Sequence, residues 1–182
     1  VIYANSVCGA RSNYEGGPSA LAAGLTGRTP RYGFHLDEFR AATLKLRVSF
    51  QPGTLNDWGA LGAVIGRLAG NYWQVPLVEG LEQPPGSDAL KHFGAAMASF
   101  GSVALYHLAG VTPECSDSAL PVSHRIGEAE IRELQQAYAG EREVDVVVFS
   151  APQLSLYELR TLAALCDGRR FVRPLLAVTS PQ

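Results

Sequence analysis

The apolar and polar positions of this chain alternate between the two-residue period of strands and the longer period of helices. Residues 42–50 alternate apolar and polar side chains, which predicts a half-exposed strand. Further apolar runs predict short strands before Asn5 and over residues 74–78, 102–108, 144–149 and 171–178. Because almost every side chain in 144–149 is apolar, that strand is expected to be buried on both faces.

Helical spacing of apolar side chains separates these strands. It predicts helices over residues 19–25, 58–68, 90–100, 131–138 and 159–166. Local signals mark their ends: Gly27 stops the first helix, Ser87 is expected to cap the third, and a capping box begins at Ser155. A face of small residues in the second helix suits close packing, and it consists of Gly59, Gly62 and Gly66.

The alternation of strands and helices favours an α/β fold, layered α/β/α, in which helices cover a mostly parallel sheet. In such sheets, ligands bind beyond the carboxyl ends of the strands. Polar loops are expected there after the first strand, after a central strand and after the most buried strand, at Asn5–Asn13, His107–Cys115 and Ser150–Ser155. The sequence therefore predicts a functional site among these loops.

Composition narrows the class of protein. The chain has 182 residues, 47% hydrophobic and 18% charged, so it can form a sizeable core and disorder is not expected. A net charge of −2 without a basic stripe gives no support for binding nucleic acid or an anionic membrane surface. No apolar run approaches the roughly 20 residues of a membrane span. Three widely spaced cysteines make a poor disulfide framework, which favours a cytoplasmic protein.

The first polar loop holds two side chains with specific chemistry. Cys8 lies beside Gly9 and Arg11, so its thiolate could ligate iron; the alternative is a buried structural cysteine. Arg11 could clamp a substrate carboxylate in bidentate fashion, or it could form a structural ion pair. Both alternatives stay open for each residue on local composition alone.

The other polar residues near the loops are less specific. Asn5, Ser6, Ser12 and Asn13 could orient a ligand or satisfy loop backbone groups. His107 ends a strand, where it is either an active-site residue or a core histidine. The remaining histidines and one cysteine are not expected to have a functional role. We expect His35 at the surface or at a helix cap, His92 and His124 at the surface, and Cys166 in the core.

Taken in order, the loops of this chain resemble those of the aconitase X family. The resemblance rests on the segments 4–11 (Ala-Asn-Ser-Val-Cys-Gly-Ala-Arg), 17–21, 25–30, 32–37, 57–62, 76–80 and 107–114 (His-Leu-Ala-Gly-Val-Thr-Pro-Glu). It extends over nearly the whole chain. Because the chain begins with Val1 and not Met, residues 1–182 are expected to be part of a large catalytic region that is truncated at both ends.

The resemblance implies an aconitase-like fold and a hydro-lyase, an enzyme that eliminates water. Its substrate would be a small hydroxy acid, either cis-3-hydroxy-L-proline or 5-phosphomevalonate. Its cofactor would be an iron or iron–sulfur centre, which acts as a Lewis acid on the departing hydroxyl. A smaller swivelling subunit or domain would complete the enzyme.

The same resemblance assigns roles in the first loop. Cys8 would be a metal ligand, while Asn5, Arg11 and Ser12 would bind substrate. Ser6 would be a catalytic residue, as would His107 from its position at a strand end. No residue is identified as the base.

One loop departs from the family pattern. The family often has Gly-x-Pro-His after the buried strand, where this chain has Ser150-Ala-Pro-Gln153.

The resemblance and this departure together leave three hypotheses about function. The first is a cis-3-hydroxy-L-proline dehydratase, and the second is a 5-phosphomevalonate dehydratase, whose phosphate should require extra basic residues. The third is a non-catalytic or inactive α/β fragment. The further hypothesis of a nucleotide-binding domain is supported only by the alternation of strands and helices, because the chain has no Gly-x-x-x-x-Gly-Lys-Ser/Thr loop.

Overall fold

The computed structural model describes residues 1–115, 119–140 and 143–180. The chain divides into two compact units, Val1–Gln135 and Gln136–Gln182. Its helices are α1 (Ile2–Ser6), α2 (Pro18–Thr26), α3 (Leu55–Ala69), α4 (Ser87–Gly101), α5 (Glu128–Tyr138) and α6 (Leu156–Cys166), with 3-10 helices at Gly33–His35 and Asp37–Phe39. Its strands are β1 (Leu44–Val48), β2 (Pro76–Glu79), β3 (His107–Leu108), β4 (Val122–Ile126), β5 (Val147–Phe149) and β6 (Leu175–Ala177).

A parallel four-stranded sheet forms the centre of the first unit, in the order β3-β2-β1-β4. Leu46, Val48 and Val78 on the two inner strands are at most 2% exposed. The predicted α/β fold with a mostly parallel sheet is confirmed. The prediction that the strand ending in His107 is central is wrong. Within the described residues β3 lies at the edge, and only His107 and Leu108 pair with β2.

Helices α3 and α4 pack closely because glycines line their contact. A Cβ added at Gly66 would lie 2.7 Å from the Met97 carbonyl oxygen, and one at Gly62 would overlap the carbonyl oxygen of Phe93. The predicted small face is therefore confirmed for these two residues. It is wrong for Gly59, where an added Cβ would meet nothing within 4 Å.

The helix ends follow local chemistry. Gly27 ends α2 in the left-handed conformation, and Ser155 caps α6 in a capping box, both as predicted. The predicted cap of α4 is displaced by one residue, since Gly86 is the N-cap and Ser87 is the first helical residue. Among the helices that the structure describes, none combines the length and hydrophobicity needed to cross a membrane.

The start of the chain was expected to be a strand and is instead α1. Ile2 is buried in the main core of the first unit. The side chains of Asn5 and Ser6 bond the backbone of the segment that leads into β3. These tertiary contacts outweigh the strand preference of Val1, Ile2 and Tyr3.

The second unit contains a two-stranded parallel sheet, β5 and β6, and helix α6. The expectation that residues 144–149 are buried on both faces is wrong. Val147, Val148 and Phe149 are 37–50% exposed, and the sheet that carries them has two strands in the described part of the chain. Cys166, expected in the core, is half-buried.

Candidate active site

The loop after α1 folds back and lies against the loop that follows β3. The Ala10 amide donates to the Ala4 carbonyl at 2.9 Å, which closes the turn. Gly9 has a φ of +65°, and a Cβ added there would lie 3.6 Å from Pro113 and 3.8 Å from a carboxylate oxygen of Glu114. The structure therefore brings together two of the three loops in which the site was predicted.

Arg40 joins these loops to the 3-10 helices, and sequence reasoning missed it. Its side chain is 4% exposed and donates from Nε and Nη2 to the two carboxylate oxygens of Glu114, at 2.6 and 3.0 Å. It also donates to the carbonyls of Phe34, Asn5 and Ala10 at 2.9–3.1 Å. A guanidinium this fully bonded fixes backbone and has little left to offer a ligand.

Asn5 and Ser6 are buried and bond mainly to backbone. Asn5 Nδ2 donates to the carbonyls of Ser12 and Ala104 at 2.9 and 3.0 Å, and Ser6 Oγ accepts the Tyr106 amide at 3.0 Å. These bonds attach α1 to the segment before β3. In the described part of the chain, Asn5 Oδ1 is buried without a hydrogen-bond partner. Ser12 is half-buried.

His107 is only 3% exposed, as the core alternative implies. Its Nε2 donates to the carbonyl oxygen of Arg40 at 2.7 Å, since a carbonyl can only accept. Its Nδ1 is buried and has no hydrogen-bond partner among the described residues. The ring therefore supports the turn that carries Arg40.

Cys8 is exposed, which removes the alternative of a buried structural cysteine. A metal cluster needs several protein ligands. Within the described residues, no group of three or more His, Cys, Asp or Glu side chains could hold a metal ion. The described residues therefore do not form a complete metal site, and Cys8 offers one thiol donor.

Arg11 forms an ion pair with Asp37 and donates from Nη1 to the His35 carbonyl at 3.0 Å. The structural-pair alternative thus describes its contacts. The pair is nevertheless solvent-exposed, with side chains 42% and 88% exposed for Arg11 and Asp37. Unlike Arg40, Arg11 is positioned where a small ligand can reach its guanidinium.

Glu15 and His35 form a second pair that the sequence did not reveal. His35 Nε2 lies 2.6 Å from Glu15 Oε1, and both side chains are about 15% exposed. Partial burial favours the protonated carboxyl, but hydrogen bonds from His35 and from the Asn13 amide outweigh it and lower the pKa of Glu15 to about 2. His35 is thus neither a surface residue nor a helix cap.

Asn13 organises the surroundings of this pair. Its Oδ1 accepts the Phe34 amide at 2.6 Å and the Tyr72 hydroxyl at 3.0 Å, while its Nδ2 donates to the Tyr32 carbonyl at 2.8 Å. Burial raises the pKa of Tyr72 to about 12, so its hydroxyl stays a donor at neutral pH. The bonds of Asn13 and Glu15 to residues 32–35 therefore join the two ends of the segment that contains α2.

Of the other sequence expectations, His124 is exposed as predicted, while His92 is half-buried. Residues 150–153, where the chain departs from Gly-x-Pro-His, belong to the second unit. The Arg40 and Glu15 pairs could not be found from local patterns, because their partners lie 74 and 20 residues away along the chain. The structure therefore yields an exposed thiol and an exposed guanidinium on a loop whose backbone is rigidly held.

Comparisons with known proteins agree on one family. The model of the aconitase X first domain matches residues 1–38, and that of the aconitase X second domain matches residues 42–150. Arg40 lies between the two matched segments.

Named relatives are dehydratases. The phosphomevalonate dehydratase large subunit of Methanosarcina mazei is 41% identical over 181 residues, covering 99% of this chain and 44% of the relative. The cis-3-hydroxy-L-proline dehydratase of Pseudomonas aeruginosa is 39% identical over 182 residues, covering 93% of this chain and 31% of the relative. The chain thus spans less than half the length of these relatives.

A solved structure is also similar. The crystal structure of Thermococcus kodakaraensis aconitase X, in its holo-form, matches with a TM-score of 0.87 and 36% sequence identity. The match covers 98% of this chain and 47% of that chain. The described α/β architecture is therefore aconitase-like.

Proposed function

This chain belongs to the aconitase X family, and on that premise we propose that its protein is a hydro-lyase that eliminates water from a small β-hydroxy acid. One observation carries the proposal: the chain is similar over nearly its whole length to proteins named as dehydratases. Residues 1–182 would then supply part of a large catalytic region. Other walls of the site would come from outside the chain.

Two substrates are candidates. The first is cis-3-hydroxy-L-proline, after the 39% identical relative from Pseudomonas aeruginosa. The second is 5-phosphomevalonate, which the 41% identity to the Methanosarcina mazei large subunit supports equally. Both molecules carry a carboxylate and a β-hydroxyl group, so one carboxylate-binding residue could serve either substrate.

Arg11 is the residue proposed to bind that carboxylate. Its side chain is 42% exposed, and Nη1 donates to the His35 carbonyl at 3.0 Å. A planar fork of donors matches the two oxygens of a carboxylate. Asn5 and Ser12 would support this subsite, since Asn5 Nδ2 bonds the Ser12 carbonyl at 2.9 Å.

The catalytic roles of Ser6 and His107 stay predictions. Both side chains are buried, at 2% and 3% exposed, and both bond to backbone groups. In this geometry their contribution is to hold the turns from which Cys8 and Arg11 project. The group that removes the α-proton is not assigned to a residue of this chain.

Cys8 is proposed to supply one thiolate ligand to an iron or iron–sulfur group. Its exposure suits that role. The remaining ligands would come from outside the described residues, which hold no complete metal site.

A partner subunit or domain and a cytoplasmic location complete the proposal. Several relatives are named as large subunits, which supports a smaller companion. The three cysteines, all within the described residues, form no disulfide, as is usual in a reducing compartment.

The proposal is tested by assaying the complete protein with both substrates and following formation of the dehydrated product. Turnover of either one supports it, and turnover of neither favours the non-catalytic alternative. The Cys8 ligand is tested by iron content and absorption after anaerobic reconstitution. We expect Cys8→Ser to lose iron while the matched Cys166→Ser variant retains it. Equal iron in both variants would remove Cys8 from the ligand set.

A further inference from the structure

The first unit contains two arginine–carboxylate pairs close to the Cys8 loop, and they differ in how easily they can exchange partners. Arg40 is 4% exposed, and its donors are divided between Glu114 and three backbone carbonyls. Arg11 is 42% exposed, and its carboxylate partner Asp37 is 88% exposed. Water surrounds the second pair, so a dissolved carboxylate can compete for the same guanidinium.

Arg11 has a second hydrogen bond that does not involve Asp37. Nη1 donates to the His35 carbonyl at 3.0 Å. The His35 ring in turn lies 2.6 Å from Glu15, whose other oxygen accepts the Asn13 amide. The guanidinium is thus held on one side by a bonded network and presents Nη2 on the other, where Asp37 is bound.

We propose that Asp37 is an internal competitor of the substrate, a residue that occupies the carboxylate-binding face of Arg11 until the substrate's own carboxylate displaces it. The inference rests on the proposed function for the identity of the substrate. It assigns Asp37 a role in affinity, and it leaves the chemistry to other groups.

Affinity follows from this competition. A ligand carboxylate offers Arg11 the same kind of bond that Asp37 offers, so it exchanges with Asp37 at little cost. A neutral amide or ester binds a guanidinium more weakly, because a charge-assisted hydrogen bond is stronger than a neutral one. The preference for an acid therefore comes from Arg11, while Asp37 lowers the affinity of every ligand of that face by the same factor.

The experiment compares three forms of the complete protein: wild type, Asp37→Asn and the matched control Glu38→Gln. Glu38 is the next residue and is also exposed, so its variant removes the same charge without touching Arg11. For cis-3-hydroxy-L-proline and for 5-phosphomevalonate, KM and kcat are measured by turnover and Kd by titration calorimetry. For Asp37→Asn we expect KM and Kd to fall about two- to fivefold, the range of an exposed ion pair, with kcat unchanged.

Arg11→Lys provides the second test. Lysine keeps the positive charge but lacks the planar fork of donors. In the Arg11→Lys background, Asp37→Asn should therefore change Kd by less than it does in the wild-type background, because the two residues act through one contact. Thermal unfolding of each variant shows that the fold is retained.

The failures are distinguishable. Unchanged or raised Kd in Asp37→Asn, a fall in kcat, or an equal gain in affinity in Glu38→Gln would each overturn the role of Asp37 while leaving the dehydratase intact. Binding of either acid without turnover would overturn the proposed activity, and the Kd series would still decide the competition. If neither acid binds to wild type, the inference is overturned as well.

Discussion

Arg40 and Arg47 make the same kind of contact with a glutamate in different surroundings. Arg40 is 4% exposed and pairs with Glu114, whereas Arg47 is 45% exposed and pairs with Glu79 at 2.7 Å. Removing one partner of a buried pair leaves the other charge and several carbonyls without bonds. An exposed pair is replaced by water at little cost.

We therefore expect Arg40→Met to lower the free energy of unfolding by about 3–5 kcal/mol. The matched variant Arg47→Met should change it by less than about 1 kcal/mol. Chemical denaturation of the 182-residue chain, followed by circular dichroism, measures both values. Equal effects of the two substitutions would show that Arg40 does not hold the loops together.

Glu15 gives the protein a specific response to acid. Hydrogen bonds hold its pKa at about 2 in the folded protein, whereas in an unfolded chain a glutamate titrates near 4.5. A carboxyl whose pKa is lower when folded stabilises the fold fully above the unfolded pKa, and this stabilisation is lost as pH falls towards the folded pKa. The relevant window is therefore about pH 4.5 down to 2.

In that window we expect the difference in unfolding free energy between wild type and Glu15→Gln to shrink. Just above this window the difference should be at its full value and in favour of wild type. Denaturation curves at a series of pH values measure it. A difference that persists undiminished to pH 2 would contradict the assignment of the low pKa to Glu15.

At the residue scale, the sequence singles out Cys8 and Arg11 as candidates, but it does not reveal the contacts of Arg40 and Glu15 that bond the neighbouring segments. Cys8 and Arg11 stand in a recognisable local motif. Arg40 and Glu15 acquire their importance from partners 74 and 20 residues away. Nothing in the neighbouring sequence indicates which distant carboxylate or imidazole will be met.

At the scale of elements, the contact of α3 with α4 yields a direct test. Gly62 faces the Phe93 backbone, whereas Gly59 on the same helix faces open space. We expect Gly62→Ala to destabilise the protein by about 1–3 kcal/mol, since overpacking exceeds the gain in helix propensity. Gly59→Ala should be neutral or stabilise by up to about 1 kcal/mol.

Thermal unfolding of the two variants decides the matter. Destabilisation by Gly59→Ala of the same size as that by Gly62→Ala would mean that the cost arises within the helix and not from contact with α4.

Elements with strong periodicity or caps were predicted well, and short ones were not. The apolar stripe of α3 and the capping box of α6 are local signals, and both helices formed where expected. The helix α1 has five residues, too few for a periodic signal, and its conformation depends on bonds from Asn5 and Ser6 to residues 104 and 106. The predicted strand was therefore wrong.

For the whole molecule, the alternation of elements predicted a parallel sheet but not the order of its strands. The order depends on which strands pair. Among the described residues β3 pairs only with β2, so it lies at the edge of the sheet. Likewise, the apolar sequence of β5 predicts burial. Burial also requires other elements to pack against the strand, and the sequence of β5 does not indicate which elements do so. Val148 is 50% exposed in the described unit.

Burial is also unevenly distributed over the chain, most clearly at α2. This helix contains two leucines and three alanines, but none of its residues is buried, and Leu25 is 79% exposed. A nine-residue helix without packing has little stability of its own. By contrast, α3 contains Leu61 and Ile65, which are fully buried.

This difference should be visible in the rate at which backbone amides exchange their hydrogen for deuterium. The amides of α2 need only a local opening of the helix, so they should exchange within seconds to minutes at neutral pH. The amides of α3 should exchange only when the first unit unfolds as a whole. Comparable protection of both helices in the 182-residue chain would mean that another surface covers α2. The exchange lifetime of each amide proton thus distinguishes the helices that are packed in the core from those that are exposed to solvent.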